Sequence, residues 1–150
     1  MKKLFTLLAL ICLFNVNAQI STGGTNNSGT YSSAIGFQTS AAGDYSTAMG
    51  YNTTSSASYC TAMGYATTAS GSTSTAMGVN TTASGDGSTS LGNQTTASAN
   101  NSIATGASTT ASGEVSTAMG YATTANGSSS TSMGLSTTAN GDVSIAMGLG

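Results

Sequence analysis

The chain has 150 residues, of which 4% are charged, with a formal net charge of −2, no histidine, no proline and no tryptophan. Its only basic residues are Lys2 and Lys3, and its only acids are Asp44, Asp86, Glu114 and Asp142. Nucleic-acid binding and attachment to anionic membranes are excluded, because beyond Lys3 no side chain can displace counterions from phosphates. Nucleophilic catalysis is excluded too, since beyond Lys3 the many serines have neither histidine nor lysine as a base and the carboxylates are never paired.

Lys2 and Lys3 lead into an apolar run from Leu4 to Phe14, followed by the small-residue stretch Val16-Asn17-Ala18. This is the pattern of a secretory signal peptide over residues 1–18, with Gln19 opening the mature chain; the run is too short for a membrane span. Cys12 lies inside that run, preceded by Ile11 rather than the small residue a lipidation site needs. The mature chain then has no basic residue, no membrane-spanning segment and a single cysteine, Cys60, so a disulfide framework is excluded. Residues 19–24 form a short lead-in.

From about residue 25 onward glycine recurs every 14 residues, at Gly36, Gly50, Gly64, Gly78, Gly92, Gly106, Gly120, Gly134 and Gly148. A composition dominated by Ser, Thr, Gly and Ala is otherwise that of a disordered segment. A period kept in phase through nine copies is instead that of a stacked solenoid. A second small residue falls seven positions on, at Gly29, Gly43, Gly71, Gly85, Gly113, Gly127 and Gly141, with Ala57 and Ala99 as the exceptions. The predicted fold is therefore all-β, a parallel solenoid over residues 25–150. Each 14-residue turn holds two strands of about five residues, with glycine at the corners because it accepts positive φ.

The first strand of each turn reads Ser-Thr-Ala-Met. Its serine column (Ser46, Ser74, Ser88, Ser102 and onward) and alanine column (Ala48, Ala62, Ala76 and onward) admit only small residues. They are predicted to face inward, with Cys60 as a buried filler in the serine column. Strand alternation puts the intervening residues on the opposite side. There Thr47, Thr61, Ile103 and Ile145 accompany a stripe of Ile35, Met49, Met63, Met77, Leu91, Met119, Met133 and Met147, interrupted only by Thr105. In the second strand, Thr67 and Ala69 and their equivalents face inward. The ladder Thr54, Thr68, Thr82, Thr96, Thr110, Thr124 and Thr138 faces out, beside a variable polar position (Gln38, Asn52, Ala66, Asn80, Gln94, Ser108, Ala122, Ser136) assigned to the same outer face.

A coil filled with Ser, Thr and Ala buries little apolar area, whereas each buried Met contributes ~1.5–3 kcal/mol. A long exposed apolar stripe is an association site. Ile35, Met49, Met63, Met77, Leu91, Met119, Met133 and Met147 are thus the predicted subunit interface; rods meeting in twos or in threes satisfy the argument equally. The four acids share one corner column and never occupy adjacent turns. With turns ~4.8 Å apart, neighbouring acids are at least ~9.6 Å apart, too far to share an ion. They read as solvated corner charges, and no catalytic, cofactor or metal site is predicted.

The Ser-Thr-Ala-Met-Gly and Ser-Ile-Ala-Met-Gly blocks, of which Ser144 to Gly148 is an example, resemble the Ser-Val-Ala-Ile-Gly motif of the YadA-like head of trimeric autotransporter adhesins. The Thr-Thr-Ala-Ser-Gly and Thr-Thr-Ala-Asn-Gly blocks are similar to that family's second half-repeat. The resemblance runs from about Thr25 to the last residue. It implies a left-handed parallel β-roll, a homotrimer with the apolar positions at the subunit interface, and non-enzymatic adhesion to host, matrix or other cells from an outer-membrane or extracellular location. Thr stands at most positions where the family has an apolar residue before Ala. The family's coiled-coil stalk and anchoring barrel are not within these 150 residues, so the expectation is a fragment of a longer protein or a different route to the surface. Two other functions fit the pattern: a Thr-ladder solenoid that binds ice or another ordered surface, and a structural spacer within a larger surface protein.

Overall fold

A computed structural model of the protein describes residues 23–150. The predicted signal peptide, with Cys12, and the first part of the predicted lead-in lie outside the described residues. Within them the chain coils through long strands of five residues (Ser33–Phe37, Thr47–Tyr51, Thr61–Tyr65 and onward to Ile145–Leu149) that alternate with short strands of two (Asn26–Asn27, Ser40–Ala41, Thr54–Ser55 and onward to Thr138–Ala139). The long strands stack into one nine-stranded sheet and the short strands into another, each in strict chain order. Every pairing is parallel and offset by one repeat: Thr47 lies against Thr61, Met49 against Met63, Gly50 against Gly64 and Tyr51 against Tyr65. The architecture is the expected parallel β-solenoid, all strand among the described residues. The second strand is shorter than predicted, because its usable length ends at a left-handed residue on one side and a tight corner on the other.

The interior follows the predicted columns. Ala48, Ala62, Ala76, Ala104 and Ala118 have no exposed surface, and neither do Thr53, Thr67, Ser74 and Cys60. The two sheets are therefore separated by Ser, Thr, Ala and one Cys. Where serine replaces alanine inside, it finds a partner. The Ser90 hydroxyl meets that of Thr95 at 2.7 Å, the Ser132 hydroxyl meets that of Thr137 at 2.8 Å, and Ser55 donates to the Thr47 carbonyl at 2.6 Å. The Cys60 thiol donates to the Ala57 carbonyl at 2.8 Å. Other inward hydroxyls, including those of Ser46, Thr53, Thr67 and Ser74, have no hydrogen-bond partner, and each such group opposes folding by ~1–3 kcal/mol. The lumen is a steric spacer more than a source of stability.

The corners differ from the sequence expectation in an informative way. The corners of each turn carry positive φ twice, mostly at residues other than glycine: at Gln38, Asn52, Ala66 and Asn80 (φ 52–53°) after the long strand, and at Tyr31, Tyr45 and Tyr59 (φ 55–60°) before it. The variable polar column is thus a corner column, not part of the outer face of the short strand. Asn52 and Asn80 suit it because a short amide side chain tolerates this conformation. The in-phase glycines are not at corners; Gly50 lies within the strand Thr47–Tyr51. It is required for two reasons: its φ is 125°, and a Cβ there would overlap the carbonyl oxygen of Gly64 in the next turn. The glycines seven residues on have ordinary φ values and serve the second purpose alone; at Gly71 a Cβ would overlap the carbonyl oxygen of Gly85.

This distinction predicts unequal responses to the same substitution. Gly78 combines a φ of 128° with a blocked Cβ site, so Gly78→Ala is expected to lower stability by roughly 3 kcal/mol, the strain adding to a displaced neighbouring strand. Gly71→Ala introduces no φ strain and reproduces what Ala57 and Ala99 do naturally in the same column. It is expected to lower stability by less than half as much, measured by denaturant unfolding of the two variants.

Candidate functional site

The long strands present residues one, three and five of each strand outward. The middle column stacks Ile35, Met49, Met63, Met77, Leu91, Thr105, Met119, Met133 and Met147 in direct register. All eight residues of the predicted interface therefore lie in one straight column on the outside of the coil. Met49, Met77 and Met119 remain 36–39% exposed even though each is flanked by the turns above and below. Thr47 and its equivalents border the column on one side.

On the other side lies a column the sequence reading missed: Phe37, Tyr51, Tyr65, Val79, Asn93, Ala107, Tyr121, Leu135 and Leu149, the residue after each in-phase glycine. Its signal was available as an apolar residue two positions beyond the Met column, the spacing of one strand face. The apolar face is thus two columns wide. It narrows in the middle, where Asn93, Thr105 and Ala107 replace larger apolar side chains.

Aromatic residues mark both edges of this face over the first turns. Phe37, Tyr51 and Tyr65 form a stack with ring centroids 5.4 and 5.2 Å apart. Tyr31, Tyr45 and Tyr59 form a second stack at 5.3 and 5.1 Å, at the corner that precedes each long strand. The inter-turn spacing stacks the rings, with planes inclined by 2° between Tyr45 and Tyr59 and by 24° between Tyr31 and Tyr45. Such offset stacking is favourable, but the outer edges of all six rings stay in solvent.

The opposite face, made by the short strands, is polar and uncharged. Thr54, Thr68, Thr82 and their equivalents point outward, half-buried by their neighbours in the ladder. Two residues along each turn lies an exposed row of Ser56, Ser70, Ser84, Ser98, Ser112, Asn126 and Asn140. This row, rather than the variable corner column, accompanies the threonines. It is knit along the coil where Ser112 donates to the Asn126 side chain at 2.7 Å and Asn126 to that of Asn140 at 2.8 Å.

Three of the four acids are more than solvated charges. The carboxylates of Asp44, Asp86 and Asp142 accept hydrogen bonds from the main-chain N–H of Thr30, Ser72 and Ser128, at 2.8, 2.8 and 2.9 Å. Each donor occupies the same column one turn earlier. Asn100 accepts likewise from the N–H of Asp86 at 3.1 Å. A short side chain ending in an acceptor thus ties two corners together. Among the described residues no group of three or more His, Cys, Asp or Glu is placed to hold a metal ion, and no helix is long and apolar enough to cross a membrane.

The sequence model of a family described as the YadA head domain repeat (2 copies) matches residues 28–53, 61–81, 83–109, 111–137 and 125–150. The matched segments take in most of the coil. A search of curated proteins finds no match to the chain.

The corner bonds give a direct test of what the acids do. Asp86→Ala removes the acceptor for Ser72 and is expected to lower stability by ~1 kcal/mol, the usual net worth of such a bond. Asp86→Asn keeps an acceptor oxygen and should retain most of it. Thermal unfolding of the two variants beside the parent protein checks both, and equal losses would mean that charge rather than geometry matters.

Proposed function

The chain belongs to the YadA head domain repeat family, and from that premise we propose that it is the adhesive head of a bacterial surface protein. In this reading it is exported across the inner membrane and attaches, without catalysis, to host, matrix or other cell surfaces. The family is one of surface adhesin-type repeat domains, trimeric in general. The observation that carries the reading is the division of the coil into two unlike faces: a largely apolar face of long strands and an uncharged Thr/Ser face of short strands.

An apolar face of this length in an exported chain favours association. Three copies around an axis parallel to the coil bury the Met column of each and leave every Thr/Ser face pointing outward. Ligand contact then falls to the short-strand face, where Thr, Ser and Asn offer hydrogen bonds and no charge opposes approach of a neutral surface. The predicted interface residues are Ile35, Met49, Met63, Met77, Leu91, Met119, Met133 and Met147, now joined by the Phe37–Leu149 column beside them.

Two measurements test this. Binding of the purified protein to immobilised collagen, fibronectin and intact cells should be saturable; its absence on all of them favours a spacer role. Light scattering should give the mass of a trimer. The variant carrying Met119→Asp and Met133→Asp should fall to the monomer mass or unfold, because each buried carboxylate must shed its hydration. A double variant of unchanged mass would show that the Met column is not the seam.

A further inference from the structure

The outward surface of the short strands is the most regular part of the exterior. Its threonine row keeps one residue type through seven turns, from Thr54 to Thr138. Each threonine pairs in direct register with the next. The main-chain N–H of every member from Thr54 to Thr124 donates to the carbonyl of an inward threonine one turn on, at 2.9 Å. The companion row lies one residue beyond each short strand, yet it is held as closely. The N–H groups from Ser56 to Asn126 reach carbonyls of the next turn at 2.9–3.0 Å.

The side chains are constrained as well as the backbone. Thr54 to Thr124 are half-buried by their neighbours in the ladder, and branching at Cβ restricts their χ1 angles. Among the described residues no hydroxyl of the threonine row is taken up by a bond within the chain. The result is a rigid two-row net of hydroxyls and methyls. Successive turns set one spacing at ~4.8 Å, and the two residues from row to row set the other at roughly 6.6 Å. No charged residue falls on this face, since the four acids occupy the corner before the long strands.

These features narrow the ligand. Protein partners are gripped chiefly by Trp, Tyr or Arg, and sugar rings stack on exposed aromatic faces. The aromatic residues of the described chain all lie on the long-strand side, so neither kind of anchor is present here. A rigid, uncharged net of this kind matches an ordered array of water. Both of its spacings are close to the oxygen repeats on the prism face of hexagonal ice. Threonine hydroxyls can take lattice positions while the methyls fill the spaces between them. Each contact is weak, but every further turn binds as part of the same molecule, so the contacts accumulate as long as the spacing holds. A charged side chain would impose its own hydration geometry and break the match.

We infer that the short-strand face binds the surface of ice, through the threonine row and the serine row from Ser56 to Ser112. The inference rests on the reading above only in taking this face as the one that meets a ligand, and it needs no particular number of copies.

Partition into a slowly growing ice front tests it. The purified protein should enter the ice at several times the level of a control protein of similar size, and should restrain recrystallisation of fine-grained ice. Thr82→Lys together with Thr96→Lys places two charges in the middle of the net and should abolish both effects, with far-UV circular dichroism unchanged. If that variant loses its β-structure, Ser84→Lys with Ser98→Lys, in the exposed companion row, carries the same expectation. Glu114→Lys adds a charge at the corner and should leave both effects intact. Exclusion of the unsubstituted protein from ice, or incorporation that survives both pairs of lysines, overturns the inference. Sedimentation with microcrystalline cellulose or chitin but exclusion from ice overturns it in favour of an ordered polysaccharide. Saturable binding to collagen, fibronectin or cells with exclusion from ice leaves the adhesive reading standing without this one. Incorporation into ice with no binding to those surfaces does the reverse.

Discussion

Everything in this coil depends on main-chain hydrogen bonds between residues one turn apart. The N–H of Thr47 reaches the Cys60 carbonyl at 2.9 Å, that of Thr61 reaches Ser74 at 2.9 Å, and at the corner Asn52 reaches back to Phe37 at 2.9 Å. Such bonds hold successive turns at strand spacing throughout, including the corners, where a looser loop would leave buried polar groups unpaired. The spacing is what forbids a Cβ at Gly50, and it forces each side chain onto the same side chain of the next turn. The 14-residue period is therefore the sequence record of a hydrogen-bond register, and the glycines are its steric condition.

The same constraint turns the usual distribution of residues inside out. A coil of five-residue and two-residue strands has an interior too thin for Met, Leu or Tyr, so Ser, Thr, Ala and Cys60 fill it. The large apolar side chains have no place but outside, on the face of the long strands. Hydroxyls such as those of Thr53 and Ser74 are buried without partners, which works against the isolated coil. Burial of the Met column and its neighbour between copies would add the apolar term that the lumen lacks. Folding and association are in this sense one problem, and the short-strand face, relieved of any packing duty, is free to carry polar ladders.

What the sequence showed and what it hid follow from the same physics. The inward columns were legible because a steric limit leaves no variation: Ser46, Ala48 and Thr53 recur as themselves or as something equally small. The Met column was legible through strand alternation. The Phe37–Leu149 column was not, because Phe, Tyr, Val, Asn, Ala and Leu share no chemistry that a column-by-column reading would notice, although they share a face. Corner chemistry was misread for another reason. Positive φ was assigned to glycine on principle, yet a corner held by bonds above and below imposes it on Tyr45, Ala66 and Val115 as well. The bonds from Thr30 to Asp44 and from Ser72 to Asp86 span a repeat, and only the folded coil brings those groups within reach.

The apolar face is not uniform along the coil, and this bears on how copies would hold together. In a solenoid each turn interacts mainly with its neighbours, so the strength of lateral association is set locally, turn by turn. Rings at both edges and Ile35, Met49 and Met63 between them make the first three turns the strongest part. Asn93, Thr105 and Ala107 make the fifth and sixth the weakest; Met119, Tyr121, Met133 and Leu135 restore it beyond. A seam that is strong, weak and strong again tolerates bending at its middle while its ends stay aligned.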